Sequence, residues 1–125
     1  MIAVVTSYDA ALAFEYYPIV SDMSRKGCRI RMMAPINRSH LAEIKRVAEV
    51  CEIRNIDEAY PKTVVIDRKH LVHLRYPPTD SSDIATRFKD MFYTNDPLYV
   101  DGMYRMLNSL WGRSTTLEDF EKRPL

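Results

Sequence analysis

Two short β-type runs, 63–66 (Thr-Val-Val-Ile) and 71–74 (Leu-Val-His-Leu), are separated by only four residues, Asp67-Arg68-Lys69-His70. A parallel crossover needs a dozen or more residues, so these runs can pair only as an antiparallel hairpin. The chain before them has a different rhythm. Residues 1–6 form a β-branched apolar run, and residues 10–26 carry Leu12, Tyr16, Ile19, Val20 and Met23 at helical spacing. Pro18 predicts a kink or two abutting helices in that stretch, because proline removes a bond in the preceding turn. Arg25-Lys26-Gly27 supplies a basic last turn and a glycine C-cap. Residues 28–34 and 51–56 then read as strands on either side of a helix over 40–50, capped by Ser39. A hairpin added to a β-α-β-α-β order requires a mixed sheet with helices packed on it, an α/β sandwich.

The C-terminal third is less uniform. Pro77-Pro78-Thr79-Asp80 opens an irregular loop, and 84–94 is compatible with either a helix or a strand over 89–94. Asp96-Pro97 is an acidic N-cap followed by proline at the first turn. The apolar spacing of Val100, Met103, Leu107 and Leu110-Trp111 carries a long helix to Gly112. One domain over 1–113 is expected, with 114–125 as a C-terminal tail holding a short helix.

At 125 residues the chain can bury a single core, and 46% apolar with 28% charged residues is the composition of a folded domain. Eighteen basic and seventeen acidic side chains give a net charge of +1, which makes no bulk electrostatic case for nucleic acid or anionic membrane. No apolar run approaches the roughly 20 residues that span a bilayer, and no secretory leader is evident, so a cytoplasmic setting is expected. Cys28 and Cys51 each open a strand and read as buried free thiols. Two cysteines and three histidines at scattered spacing form no zinc signature, and no cofactor is implied. The aromatic content, Tyr16, Tyr17, Phe88, Phe92, Tyr93, Tyr99, Tyr104, Trp111 and Phe120, exceeds what the first and last helices can bury in one small domain. Self-association as a homodimer follows.

Three groups of residues are candidates for a site. Tyr60-Pro61-Lys62 followed by Asp67 has the spacing of a His-x-Lys-x4-Asp phosphodiesterase half-site, with Tyr60 where the nucleophilic imidazole would stand. His70 and His73 do not restore the motif, since neither is followed two residues later by lysine. Lys62 could hold an anion, and Tyr60 could donate its hydroxyl to a sugar or phosphate oxygen. The plain alternative is that Lys62 and Asp67 are solvated strand ends. The second group is Asn37, Arg38 and Ser39, in a loop that leaves a strand and enters a helix N-terminus, where α/β sheets bind ligands. Helix capping by Ser39 is the competing account. The third is Thr94 and Asn95, placed by the sequence reading at the same sheet edge as the others.

Arg25-Lys26-Gly27-Cys28-Arg29-Ile30-Arg31 resembles the entry into the second strand of archaeal regulator domains with a phospholipase-D-like fold. Phe92-Tyr93-Thr94-Asn95, then Tyr104 and Leu110-Trp111, is similar to their closing signature. This resemblance to the C-terminal sensor domain of TrmB-type transcription regulators implies a catalytically degenerate phospholipase-D-like half-domain. It further implies ligand sensing or dimerisation, with DNA reached only through a separate winged helix that this sequence lacks. The expectation is therefore a non-enzyme that senses an anionic or polar small molecule. Two other readings stay open: a divergent phosphodiesterase or nuclease assembled from two chains, with Tyr60 or His73 as nucleophile, and a protein-interaction module without ligand.

Overall fold

The computed structural model describes residues 2–6, 17–58, 60, 62–74 and 91–123. Seven strands, β1 (Ile2–Thr6), β2 (Arg29–Ala34), β3 (Glu52–Asn55), β4 (Thr63–Ile66), β5 (His70–Leu74), β6 (Met91–Thr94) and β7 (Thr115–Thr116), form one sheet in the order β6-β5-β4-β1-β2-β3-β7. β1, β2 and β3 run parallel, whereas β4, β5, β6 and β7 join by antiparallel pairing. The mixed α/β sheet expected from the hairpin argument is the observed architecture.

Strand alternation sorts the core into two layers. On one face Ala3, Val5, Ile30, Met32 and Ile53 pack with Val20 of α1 (Tyr17–Arg25) and with Ile44 and Val47 of α2 (Leu41–Val47). On the other face Val4, Met33, Val65 and Leu71 meet Val100, Leu107, Leu110 and Trp111 of α3 (Pro97–Arg113). β1 is buried from both sides, which is why its sequence is a continuous apolar run rather than an alternating one.

Local chemistry fixes the ends. α1 stops in a Schellman turn: the Cys28 amide donates to Met23 O and that of Gly27 to Ser24 O, with Gly27 at φ 91°. α3 starts as predicted, the Asp96 carboxylate accepting from the Leu98 amide at 3.0 Å ahead of Pro97. The cap of the second helix differs from expectation. Asn37 caps a 3-10 turn over Arg38–His40, its Oδ1 accepting from both the amide and the hydroxyl of Ser39, and α2 follows from His40 without a side-chain cap. The Ser39 hydroxyl is spent on the Asn37 side chain two residues upstream rather than on an amide of the helix.

The β4–β5 turn places Asp67 and Arg68 at φ 53° and 57°, the left-handed region that non-glycine residues disfavour. Paired bonds to the first strand hold it there: the Ile2 amide donates to Asp67 Oδ1 at 2.8 Å, and the Asp67 amide donates to Ile2 O at 2.9 Å.

Residues from Ser114 onward do more than add a turn. β7 pairs with β3, and α4 (Leu117–Glu121) sends Phe120 into the first core layer. The ambiguous segment ends in a strand, β6, while its earlier part, the loop before it, the first half of the first helix, Tyr16 and Phe88 lie outside the described residues. Cys28 and Cys51 are free thiols; burial, with the Glu52 charge adding to it, pushes the Cys51 thiol up to about 11. Cys51 therefore stays protonated and unreactive at neutral pH. Among the described residues no helix is long and apolar enough to cross a membrane.

Candidate functional site at the carboxyl edge

Strand direction divides the predicted residues between two edges of the sheet. β4 starts level with the end of β1, Thr63 opposite Thr6, and finishes beside its beginning. Lys62 and Asp67 therefore occupy opposite ends of β4, about 16 Å apart along the strand. β6 also runs toward the far edge, with Thr94 opposite Leu71. The expectation that Thr94 and Asn95 share an edge with Asn37 and Lys62 is corrected by this topology, because antiparallel pairings of β4, β5 and β6 reverse the direction at each step.

At the far edge, Thr94 Oγ1 accepts from the Asp96 amide at 3.1 Å and Asn95 is exposed, so Thr94 shapes the entry to α3. Asp67 holds the hairpin to Ile2, as described above.

The carboxyl edge of β1, β2 and β3 is where buried polarity collects. Thr6, Asn55 and Thr63 are three of the four buried polar residues described, and all three end or begin a strand there. Register extends the row: Met33 lies opposite Thr6, Thr6 opposite Thr63, and Thr63 opposite His73. Thr63 Oγ1 and His73 Nδ1 are 2.9 Å apart. His73 is half-buried, and Lys62, also half-buried, directly precedes its strand partner. The Tyr60 hydroxyl donates to Glu58 Oε2 at 3.2 Å while its ring packs on the α3 layer.

A histidine thus stands opposite Thr63, the residue after Lys62, although none stands two positions before Lys62 in the sequence. Motif spacing could not find it, since it reads one strand at a time. Hairpin arithmetic could have: with the turn centred on Arg68, residue 63 must face residue 73.

The loop after β2 is committed to internal bonds. Arg38 Nη2 donates to Phe120 O at 3.2 Å and to Arg123 O, and its guanidinium lies 5.3 Å from the Phe120 ring centroid. Asn55 joins this loop to β3: its Oδ1 accepts from the Ile36 amide at 2.9 Å, and its Nδ2 donates to Asp57 Oδ1. Asn55→Ala leaves the Ile36 amide unpaired in a buried setting and is expected to cost about 1–3 kcal/mol, read from chemical unfolding.

Hydrogen bonding from Arg123, then from Asn55, together with the Arg123 charge, holds the Asp57 carboxyl below its ordinary 3.8. A depressed carboxyl contributes stability that is present above its unfolded value and is lost as pH falls through its folded value. Asp57→Asn should consequently lower stability slightly at neutral pH and flatten the acid limb below about pH 4, so that variant and parent converge at the acid end. Unfolding midpoints measured down the acid range check this. No group of three metal-ligating side chains occurs among the described residues.

No protein-family model and no curated protein matches this sequence. The fold does have a solved counterpart: a phospholipase D family member, Nuc from Salmonella typhimurium, superposes with a TM-score of 0.63 at 12% identity, covering 93% of this chain and 81% of that one. The phospholipase-D-like α/β fold is thereby shown, and the finer likeness to TrmB-type regulators is not. The expectation of a non-enzyme is overturned by this counterpart, which belongs to an enzyme family. That expectation rested mainly on the absence of histidine at position 60, with His73 entering only as a replacement nucleophile of the alternative reading.

Proposed function

We propose that this domain binds phosphodiesters at its carboxyl edge and cleaves them by phosphoryl transfer through His73. The observation that carries the reading is the β4–β5 register, which pairs His73 with Thr63, the residue that follows Lys62. If Nδ1–H donates to Thr63 Oγ1, the lone pair of Nε2 is the one available for attack. A bond then forms from Nε2 to phosphorus as the ester P–O bond breaks, and the departing oxygen takes a proton from a general acid. Water, giving its proton back to that same group now acting as a base, then attacks the phosphoryl group, and the P–N bond breaks with release of a phosphomonoester and the free imidazole. Lys62 neutralises phosphoryl oxygens in both steps, and the Tyr60 hydroxyl contacts the ester. His73 is the one imidazole in the Thr6–Thr63 row among the described residues and His40 is turned to Glu43, so the proposed acid is the equivalent histidine of a second copy in a homodimer.

Recognition without turnover, as in a regulatory sensor, would use the same edge. One experiment separates the two: incubation of the purified chain with bis(4-nitrophenyl) phosphate, alongside Lys62→Ala. Turnover lost in the variant supports the proposal; binding of the diester with no turnover by the unaltered protein sinks it and returns the sensor reading.

A further inference from the structure

A concavity lies at the far edge of the sheet, away from His73 and Lys62. Ile2, Val4 and Val65 form its apolar floor, Tyr104 of α3 is a wall, and Asp67 and Arg68 of the hairpin turn form its rim, enclosing about 180 Å³. That volume is of the order of an apolar cavity that accepts one benzene ring, and is below the usual range for larger ligands.

Three features bear on what would enter. The floor and the Tyr104 ring favour an apolar, planar body. The Arg68 guanidinium sits over Tyr104, 4.3 Å from the ring centroid, at the rim of the same space. Its ion pair is replaceable, because Asp101 is held twice: by Arg68 at 3.0 Å and by Arg105 at 2.9 Å. An incoming anion could take Arg68 and leave Asp101 paired with Arg105, so no carboxylate would be stranded. Arg68 is also kept at φ 57°, a backbone state disfavoured for arginine, in a turn tied to β1 through Asp67.

We propose that this concavity is a binding site for a small aromatic carboxylate, its ring against Tyr104 and the apolar floor and its carboxylate on Arg68. The planar fork of the guanidinium suits a carboxylate in two-point contact. Asp67 already accepts the Ile2 amide, so the ligand's charge belongs on the Arg68 side of the rim. The site is independent of the carboxyl-edge chemistry and stands or falls separately from it.

The test is titration of the isotopically labelled full chain with benzoate, followed by amide NMR, with benzamide as the neutral counterpart. Saturable shifts confined to Ile2, Val65, Arg68 and Tyr104 and their neighbours are expected for benzoate, with benzamide at least about tenfold weaker. Arg68→Gln should weaken benzoate by a similar factor. Since Gln at a positive φ could disturb the turn, Arg68→Gly, which suits that conformation, serves as the second variant and should show the same loss. Absence of saturable shifts, equal binding of benzamide, or undiminished benzoate binding by Arg68→Gly would each overturn the proposal.

Discussion

Replacing His73 by alanine is expected to lower phosphodiester turnover by at least about a hundredfold, the range associated with removing a nucleophile or proton-transfer group. The size of the effect follows from the lack of substitutes. His40 lies in the 3-10 turn after β2, and His70 sits at the opposite end of β5, bonded through Nδ1 to the Tyr93 hydroxyl at 2.7 Å. Neither shares the row that joins His73 to Thr63. Because Thr63 is 3% exposed and bonded to His73, the alanine variant also removes one buried hydrogen bond and should lose about 0.5–1.5 kcal/mol of stability. His73→Gln refills part of that space and separates the two effects: stability returns while turnover stays lost. Thr63 is a positioning residue in this scheme. Thr63→Val keeps the shape of the β-branched side chain but removes the hydroxyl, and should reduce turnover by roughly tenfold with little change in KM. Thr63→Ser should restore it. If Thr63→Val and Thr63→Ser behave alike, the hydroxyl does not orient the imidazole.

The difference between what could and could not be read from the sequence lies in the range of the signal. The hairpin, the strands on either side of α2 and the Asp96-Pro97 helix start were legible because each is decided within a few residues, by loop length, alternation or a cap. Ser39 shows how narrow the margin is even there, since its hydroxyl bonds the Asn37 side chain, which caps the 3-10 turn ahead of α2, and only the backbone course decides this. The site was harder. Lys62 and Asp67 look adjacent in a motif and stand at opposite ends of a strand, while His73, ten residues from Thr63, is its bonded neighbour. The use of Arg38 by the C-terminal segment was invisible for the same reason, its acceptors lying at Phe120 and Arg123. Pairing between distant segments carries that information, and no local pattern encodes it.

The largest effect on stability should come from Trp111→Ala. Trp111 is 8% exposed at the end of α3, within the second core layer. Deleting a buried aromatic of this kind costs about 3–5 kcal/mol, a large share of the roughly 5–15 kcal/mol that holds a domain folded. Two guanidinium groups also depend on the ring: Arg54 lies 4.1 Å and Arg31 5.5 Å from its centroid. Each such contact is worth about 0.5–1 kcal/mol at sites open to water. Arg54 Nη1 donates as well to Trp111 O at 3.1 Å, a backbone bond that survives truncation of the side chain. Trp111→Phe separates the contributions, retaining most of the apolar ring with a weaker face for the cations. Leu98→Ala, on the same helix but 87% exposed, should change stability by less than about 0.5 kcal/mol. Urea unfolding of the three variants gives the ordering directly. A Trp111→Ala loss no greater than that of Leu98→Ala would mean that α3 does not seal this face of the sheet, and the second core layer would have to be reassigned.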